Sequence, residues 1–292
     1  MSTEPVIGII GGSGLYGLSG LTDTEWLDVA SPFGRPSDQL LVGRLGALKV
    51  VFLPRHGRGH PIPPDAINYR ANIDALKRLG VTDLISLSAV GSLAEALEPG
   101  TFVMVDQFID RTVKRESSFF GPGCVAHVSM AHPTCARLAG HLLEAARGLS
   151  IRAVPAGTYL AMEGPQFSSL AESELYRSWK CDVIGMTNMP EAKLAREAEL
   201  CYGLVAMVTD YDCWHPEHEH VTVASVIAVL NANAEKARSL VEAVLPRLAS
   251  HRGPCERGCQ SALDHALITA PEARDPTLVQ KLDAVAGRVL RR

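Results

Sequence analysis

Two carboxylates one residue apart, Asp210 and Asp212, close an apolar run, Leu200-Cys-Tyr-Gly-Leu-Val-Ala-Met207, that reads as a buried strand. In open α/β sheets ligands bind beyond the carboxyl ends of strands. Chemistry is therefore expected at Met207-Val-Thr-Asp-Tyr-Asp-Cys-Trp214. Two acids beside an aromatic residue suit a heteroaromatic ring. Burial raises a carboxyl pKa, so one of the pair would carry a proton near neutrality. Asp is also common in helix caps and turns, and the stretch taken alone fits that role as well.

Other strand ends carry groups for an anion. Leu48–Leu53 runs into Pro54-Arg55-His56-Gly57-Arg58-Gly59-His60. The planar fork of Arg matches phosphate, and glycine lets a ligand approach the backbone; a solvated basic loop has the same composition. Val6–Ile10 is followed by Gly11-Gly-Ser-Gly14, whose N–H groups suit an anion nest, with Ser13 adding a hydroxyl. Gly12-Ser-Gly-Leu-Tyr-Gly17 formally matches the dinucleotide fingerprint, but no convincing helix follows, and the loop at Ser31–Pro36 has no acid. Asp83–Ser88 opens into a further small-residue turn, Ala89-Val-Gly-Ser-Leu93.

Metal ligation is not expected. His215-Pro-Glu-His218-Glu-His220 is not H-E-x-x-H, and its acidic neighbours equally mark a loop. Cys255 and Cys259 form a C-x₃-C pair without partner ligands in the sequence. A lone His such as His127 is more often structural than functional.

These groups must be positioned by alternating strands and helices. Strands are expected at Val6–Ile10, Gln39–Arg44, Leu48–Leu53, Asp83–Ser88, Thr101–Asp106, Ala153–Ala161, Asp182–Met186 and Leu200–Met207. Helices are expected at Asn68–Leu79, Pro133–Leu149, Leu170–Trp179 capped by Ser169, and Glu191–Glu199, with a long core helix at Thr222–Leu248. The pattern predicts an α/β single domain with a central mixed β-sheet flanked by helices over residues 1–248. Residues 249–292 are expected to form a linker and a C-terminal helical extension, helical near Ser261–Leu267 and Pro276–Leu290.

The chain has 292 residues, 47% hydrophobic and 21% charged, which is a soluble globular composition. A net charge of −4 gives no electrostatic case for nucleic acid or an anionic membrane. No apolar run is long enough for a membrane span. Met1-Ser-Thr-Glu-Pro lacks the regions of a signal peptide, and seven scattered Cys fit reduced thiols, so a cytoplasmic protein is expected.

Taken in order, Gly11–Gly14, Arg55-His56-Gly57, Ser88–Leu93, Glu163-Gly-Pro-Gln-Phe167, Met186-Thr-Asn-Met-Pro-Glu191 and Thr209–Trp214 resemble the trimeric purine nucleoside phosphorylase family, in its methylthioadenosine-cleaving branch. The resemblance covers about residues 5–248. It implies phosphorolysis of methylthioadenosine to adenine and 5-methylthioribose 1-phosphate, without a cofactor, inorganic phosphate being the co-substrate. By resemblance, Ser13, Arg55, His56, Ser88, Ala89 (through its backbone N–H) and Thr187 hold phosphate. The family often has Thr where this chain has Ser13 and Ser88, and either hydroxyl donates. Met186 would lie against the ribose and Phe167 on the purine face, with Ser168 nearby. Asp210 would donate to purine N7 and Asp212 assist at the N6 amine, although the two roles are exchangeable between coupled acids. The acid pair favours adenine over hypoxanthine, because a 6-oxopurine offers an acceptor where adenine offers an amine. The alternative is a 6-oxopurine nucleoside or methylthioinosine phosphorylase. Val223 and Ile227 would line a pocket for the methylthio group, or simply pack in the core. His127 would approach the 5' side from a neighbouring subunit, which implies a homotrimer.

Overall fold

Apolar runs that cannot remain in water assemble into one eleven-stranded mixed sheet. In the computed structural model, residues 5–12, 18, 20–216, 223–250 and 255–291 are described, the side chains of 223–227 excepted. In chain order the first strands are β1 (Val6–Gly11), β2 (Thr22–Leu27), β3 (Leu40–Leu45) and β4 (Leu48–Pro54). Helix α1 (Tyr69–Arg78) leads to β5 (Asp83–Ser92), β6 (Phe102–Val105) and β7 (Gln107–Asp110). Then come α2 (Ala136–Gly148), β8 (Ala153–Val154), β9 (Thr158–Ala161), α3 (Leu170–Ser178) and β10 (Val183–Gly185). The chain ends in α4 (Glu191–Glu197), β11 (Cys201–Asp210), α5 (Val223–Ser250), α6 (Pro276–Lys281) and α7 (Gly287–Leu290).

Four strands form a parallel centre: β1 pairs with β4 and β5, and β5 with β11. Their side chains are apolar on both faces, as a sheet covered on both sides requires. One face packs on α1 and α4 through Tyr69, Ile73, Leu76, Leu194 and Ala195. The other packs on α2 and α5 through Leu138, Leu142, Leu240, Val241 and Val244. Asn233, fully buried on α5, donates from Nδ2 to the Val208 carbonyl at 2.9 Å and fixes that helix against β11. Local signals set the helix ends. The Asn68 side chain accepts from the Ala71 N–H at 3.0 Å, and Ser169 with Glu172 forms a reciprocal capping box. Gly80 ends the α1 segment at φ +87°, where a Cβ would be strained.

Several expectations need correction. Residues 22–27 form an edge strand whose first four side chains are exposed, so no apolar alternation announces it. Gln107–Asp110 is likewise a strand, β7, held by parallel pairing to β9. The single strand expected over Ala153–Ala161 is two, and between them Gly157 lies so close to the sheet that a Cβ there would meet Val103 Cγ1 at 2.6 Å. The tail has no helix over Ser261–Leu267: a single 3₁₀ turn spans Cys259–Ser261, and Leu267 bridges to Ala126. Pro276–Leu290 is two short helices, because Leu282, Val285 and Ala286 turn inward to join the cluster formed by α1 and α4.

Candidate active site

The carboxyl ends of β1, β4, β5 and β11 open on one cavity of about 570 Å³, within the range of about 300–1,000 Å³ typical of small-molecule sites. Gly12, Arg55, His56, Ser88, Ala89 and Thr187 line one part of it. Asp210, Asp212, Phe167 and Met186 line the rest, with Met162, Ile184, Met207 and Thr209. Residues from six separate motifs thus share one space.

On the anion side, Arg55 is 2% exposed and heavily committed. Its Nε donates to Glu191 Oε2 at 2.8 Å, Nη2 to Ser86 Oγ at 2.5 Å and Glu191 Oε1 at 3.1 Å, and Nη1 to the Leu87 carbonyl at 3.0 Å. Four of five N–H groups are therefore used by described residues, which leaves one Nη1 proton without a partner among them. Glu191 is fully buried and also accepts from Ser86 Oγ at 2.6 Å and Tyr202 OH at 2.8 Å. Asn188 Nδ2 donates to Ser86 Oγ at 2.9 Å and to Tyr202 OH at 3.0 Å. This network fixes the guanidinium plane. Ser88 Oγ and Thr187 Oγ1 stand 3.2 Å apart beside it.

His56 brings a more specific donor pattern. Its Nδ1 lies 2.9 Å from the Ile62 carbonyl, which can only accept, so Nδ1 carries the proton and Nε2 offers a lone pair when the ring is neutral. Burial, the Arg55 charge and His60 lower its pKa to about 4, against the opposing pull of the Ile62 carbonyl. His60 stacks on it at 4.0 Å between centroids. A neutral Nε2 accepts from the P–OH of monohydrogen phosphate rather than donating to it.

At the other end a β-bulge between Val208 and Asp210 shifts the register against β5. Bulges re-aim side chains beside active sites. Asp212 sits in the left-handed region at φ +52°, and its N–H donates to Asp210 Oδ1 at 2.8 Å. Thr209 Oγ1 lies 2.6 Å from Asp210 Oδ2 and 3.1 Å from the Val90 carbonyl. One hydroxyl proton cannot serve two acceptors, so both contacts are satisfied together only when Asp210 carries a proton. Burial raises the pKa of Asp210, against the Thr209 and Asp212 hydrogen bonds. Burial also raises Asp212, and the Asp210 charge adds to it. Gly91 on β5 faces the pair closely: a Cβ there would lie 3.0 Å from Asp210 Oδ1.

Phe167 is 56% exposed at the cavity mouth, as a ring that receives a ligand face should be. Met186 packs on Gly164, and its carbonyl accepts from Arg115 Nη1 at 2.6 Å. Arg115 also donates from Nε to Glu163 Oε1 at 2.8 Å, so the Glu163–Phe167 and Met186–Glu191 motifs are tied together. The aromatics between and after the acids do not face the cavity. Trp214 Nε1 donates to the Ser92 carbonyl at 2.8 Å, and Tyr211 and Trp214 pack with Leu93 and Ile184. They anchor the acid loop from behind, and the aromatic ring that lines the cavity is Phe167.

Some expected residues are elsewhere. Ser168 does not itself line the cavity but lies against residues that do: it donates to Met162 Sδ at 3.7 Å, and its hydroxyl is among the hydrogen bonds that hold the Asp212 pKa down against burial. His127 is exposed and outside its own chain's cavity; its N–H donates to the Ala266 carbonyl at 2.8 Å. Ser13, His218 and His220 lie outside the described residues, as do the side chains of Val223 and Ile227. Leu230 and Ala234 of α5 do line the cavity, and they continue the helical stripe on which positions 223 and 227 fall. His215 lies 3.0 Å from Glu95 Oε1 through Nε2. Glu191, Asn188 and Tyr202 were not anticipated. Glu191 closes a quoted motif, but nothing in the sequence reveals a partnership with Arg55 across 136 positions.

Donors suited to an oxyanion and a pair of carboxyl groups lie at two ends of one cavity, on the strand ends of a mixed α/β sheet, as a nucleoside-cleaving transferase requires. The chain belongs to the phosphorylase superfamily, whose sequence pattern matches residues 6–246. It is 62% identical over 288 residues to the S-methyl-5'-thioadenosine phosphorylase of Cereibacter sphaeroides, covering 99% of both chains. It is 61% identical over 287 residues to that of Rhodospirillum rubrum, covering 98% of each. A crystal structure of methylthioadenosine phosphorylase from an antarctic soil metagenomic library superposes with a TM-score of 0.90 at 45% identity, over 97% of this chain and 99% of that one. The Schistosoma mansoni methylthioadenosine phosphorylase in complex with adenine gives a TM-score of 0.81 at 38% identity, over 85% and 93%.

Proposed function

We propose that the chain phosphorolyses S-methyl-5'-thioadenosine to adenine and S-methyl-5-thio-α-D-ribose 1-phosphate. The observation that carries this reading is one cavity lined by Arg55, His56, Ser88 and Thr187 at one end and by the buried carboxyl of Asp210, its pKa raised by burial, at the other. Phosphate, held by the remaining Arg55 N–H, His56 Nε2, Ser88, Thr187, the Ala89 N–H and Ser13, sits beneath C1' of the sugar. As the bond from C1' to purine N9 lengthens, positive charge grows on the ribose and negative charge on the base. The phosphate oxygen forms the new bond to C1', and the pair of electrons leaves with the purine. Asp210 passes its proton to N7 and so keeps the leaving base neutral. Asp212, as carboxylate, accepts from the N6 amine. Met186 and Phe167 supply apolar contacts to ribose and base, and Leu230 and Ala234 prolong the α5 stripe toward the methylthio group.

Phosphate is the only co-substrate this scheme requires. The cytoplasm, where phosphate and adenine nucleosides coexist, suits it, and no helix among the described residues is long and apolar enough to cross a membrane. A homotrimer accounts for His127: it is exposed, does not line its own chain's cavity, and stands next to exposed Val125 and Ile268, a surface suited to a neighbouring copy. Light scattering on the purified chain tests the trimer, and a monomer fully active when dilute would refute the shared site.

The test of function is a phosphate titration with methylthioadenosine and methylthioinosine side by side. Adenine release should require phosphate, and methylthioinosine should be cleaved at least about 10⁴-fold less efficiently. Adenine released at the same rate without phosphate would make the protein a hydrolase. Preference for methylthioinosine would reverse the base assignment.

A further inference from the structure

Four cysteines distant in sequence meet at the end of the sheet opposite the active site. Cys135 caps α2, Cys201 opens β11, and Cys255 and Cys259 belong to the tail. All four are buried, and their sulfurs all lie within 4.8 Å of one another. Cys135 Sγ is 3.5 Å from Cys255 Sγ, which is 3.3 Å from Cys259 Sγ. A zinc ion with four thiolates at about 2.3 Å requires sulfurs about 3.8 Å apart at tetrahedral corners. The tail turn is shaped for this: Gly258, at φ +62°, lets the chain reverse, and its N–H donates to the Cys255 carbonyl at 2.8 Å.

Buried cysteines often pack simply as small apolar side chains, and convergence alone does not settle the matter. The second observation is Arg196. It is 9% exposed, makes no carboxylate ion pair among the described residues, and donates from Nη1 to Cys259 Sγ at 3.3 Å. The one other side-chain hydrogen bond it makes among the described residues is from Nε to the Ser129 carbonyl at 3.3 Å. A largely buried guanidinium whose partners among the described residues are a thiol and a carbonyl is favoured by a nearby negative charge. Four thiolates around a divalent cation carry a net charge of −2 and would supply the missing anion.

We infer that Cys135, Cys201, Cys255 and Cys259 bind one structural zinc ion that clamps the tail to α2 and β11. Four thiols give up their protons to solvent as the ion enters, and no oxidant is involved. The sequence shows only the C-x₃-C half of the site; folding supplies the other two ligands. All four positions are filled by protein, so no open coordination site exists for catalysis. The clamp instead orders the tail, whose Ala266 and Leu267 hold the segment carrying His127. Sulfurs this close do not accommodate the wider spacing of an iron–sulfur cluster, and an all-thiolate tetrahedron otherwise favours zinc.

The full chain, purified reduced and without added chelator, is analysed by inductively coupled plasma mass spectrometry. About one zinc per chain is expected. Thiol titration of the unfolded protein with chelator present should find all seven cysteines. Cobalt exchanged into the protein should give the charge-transfer and visible bands of a tetrahedral thiolate site. Cys259→Ser should abolish those bands and lower Tm while leaving kcat for methylthioadenosine unchanged. If that variant does not fold, the wild-type metal content and cobalt spectrum still decide the matter. Reduced protein that neither contains zinc nor takes up zinc or cobalt would overturn the inference. So would titration of only the three cysteines outside the cluster, since that outcome means two disulfides.

Discussion

Replacing Asp210 by Asn probes the proton transfer with little structural disturbance. In the wild-type protein Asp210 Oδ1 accepts from the Asp212 N–H at 2.8 Å, and Oδ2 lies 2.6 Å from Thr209 Oγ1. An amide keeps both contacts. Its oxygen accepts from Asp212, and its NH₂ donates to the Thr209 hydroxyl, whose own proton then goes to the Val90 carbonyl at 3.1 Å. The variant therefore resembles the protonated acid and should lie within about 1 kcal/mol of wild-type stability. It cannot release a proton to N7. A positioned general acid accounts for about 10²–10⁴ in rate, equivalent to about 2.7–5.5 kcal/mol of barrier. The assay is adenine release from methylthioadenosine at saturating phosphate, across pH. Burial raises the Asp210 pKa, so the acid is active below that pKa, and kcat/KM should fall as pH climbs through it. The variant should be slower by the factor above and should lack that alkaline limb. A variant as fast as wild type, or one that retains the limb, would refute the assignment of the proton to Asp210.

Glu191→Gln leaves Arg55 buried without its countercharge. Breaking such a pair costs about 3–5 kcal/mol, so Tm should drop and the phosphate KM should rise by at least about tenfold. An unchanged KM would detach Glu191 from the anion site. Gly91→Ala places a methyl 3.0 Å from Asp210 Oδ1 and 3.1 Å from Ile184 Cγ2; displacement of the acid should lower kcat by up to about 10²-fold, and normal kinetics would show that the acid pair tolerates movement. Glu197, buried against the Phe119 N–H and Ser118, has its pKa pushed up to about 7. Its folded-state pKa lies above the unfolded one, so its contribution is fully present below about pH 4.5 and is lost as pH rises through about 7. Glu197→Gln should therefore raise stability at pH 9 relative to wild type by about 3 kcal/mol, and urea titrations at pH 5 and 9 that show the same difference would contradict this.

What the sequence reveals depends on how locally each signal is encoded. The central strands are apolar on both faces, so composition alone marks them, and Ser169 with Glu172 announces the start of α3 within four residues. β2 faces solvent on an edge and β8 is two residues long, so neither carries a pattern. At the site, glycines, an Arg and two acids at strand ends were legible because each sits where a strand must stop. The Arg55–Glu191 pair was not, since its partners lie in different motifs and only the folded sheet joins them. Tyr211 and Trp214 sit beside the acids in sequence but pack away from the cavity, because neighbouring side chains of a turn fall on different faces; Phe167, from another loop, is the aromatic that lines it.

Strand β11 shows how one element serves two ends of the molecule. Its first residue, Cys201, pairs in register with Asp83 at the start of β5, and its last, Asp210, pairs with Gly91 near the end of it. Nine residues of extended chain separate them by about 30 Å. The register is regular from Cys201 to Val208 and breaks only at Thr209, where the bulge turns the acid toward the cavity. A bulge shortens the partner's count by one residue, so the strand must be held elsewhere if the slip is to remain at that point. Asn233 holds it at the Val208 carbonyl, and Cys201 begins it inside the buried cysteine cluster, where the zinc ion we infer would hold it. Loss of the Asn233 amide would free the strand next to its irregular point. The acid pair would then lose its aim at the base while the phosphate cradle, built on β4, β5 and the turn after β10, kept its geometry.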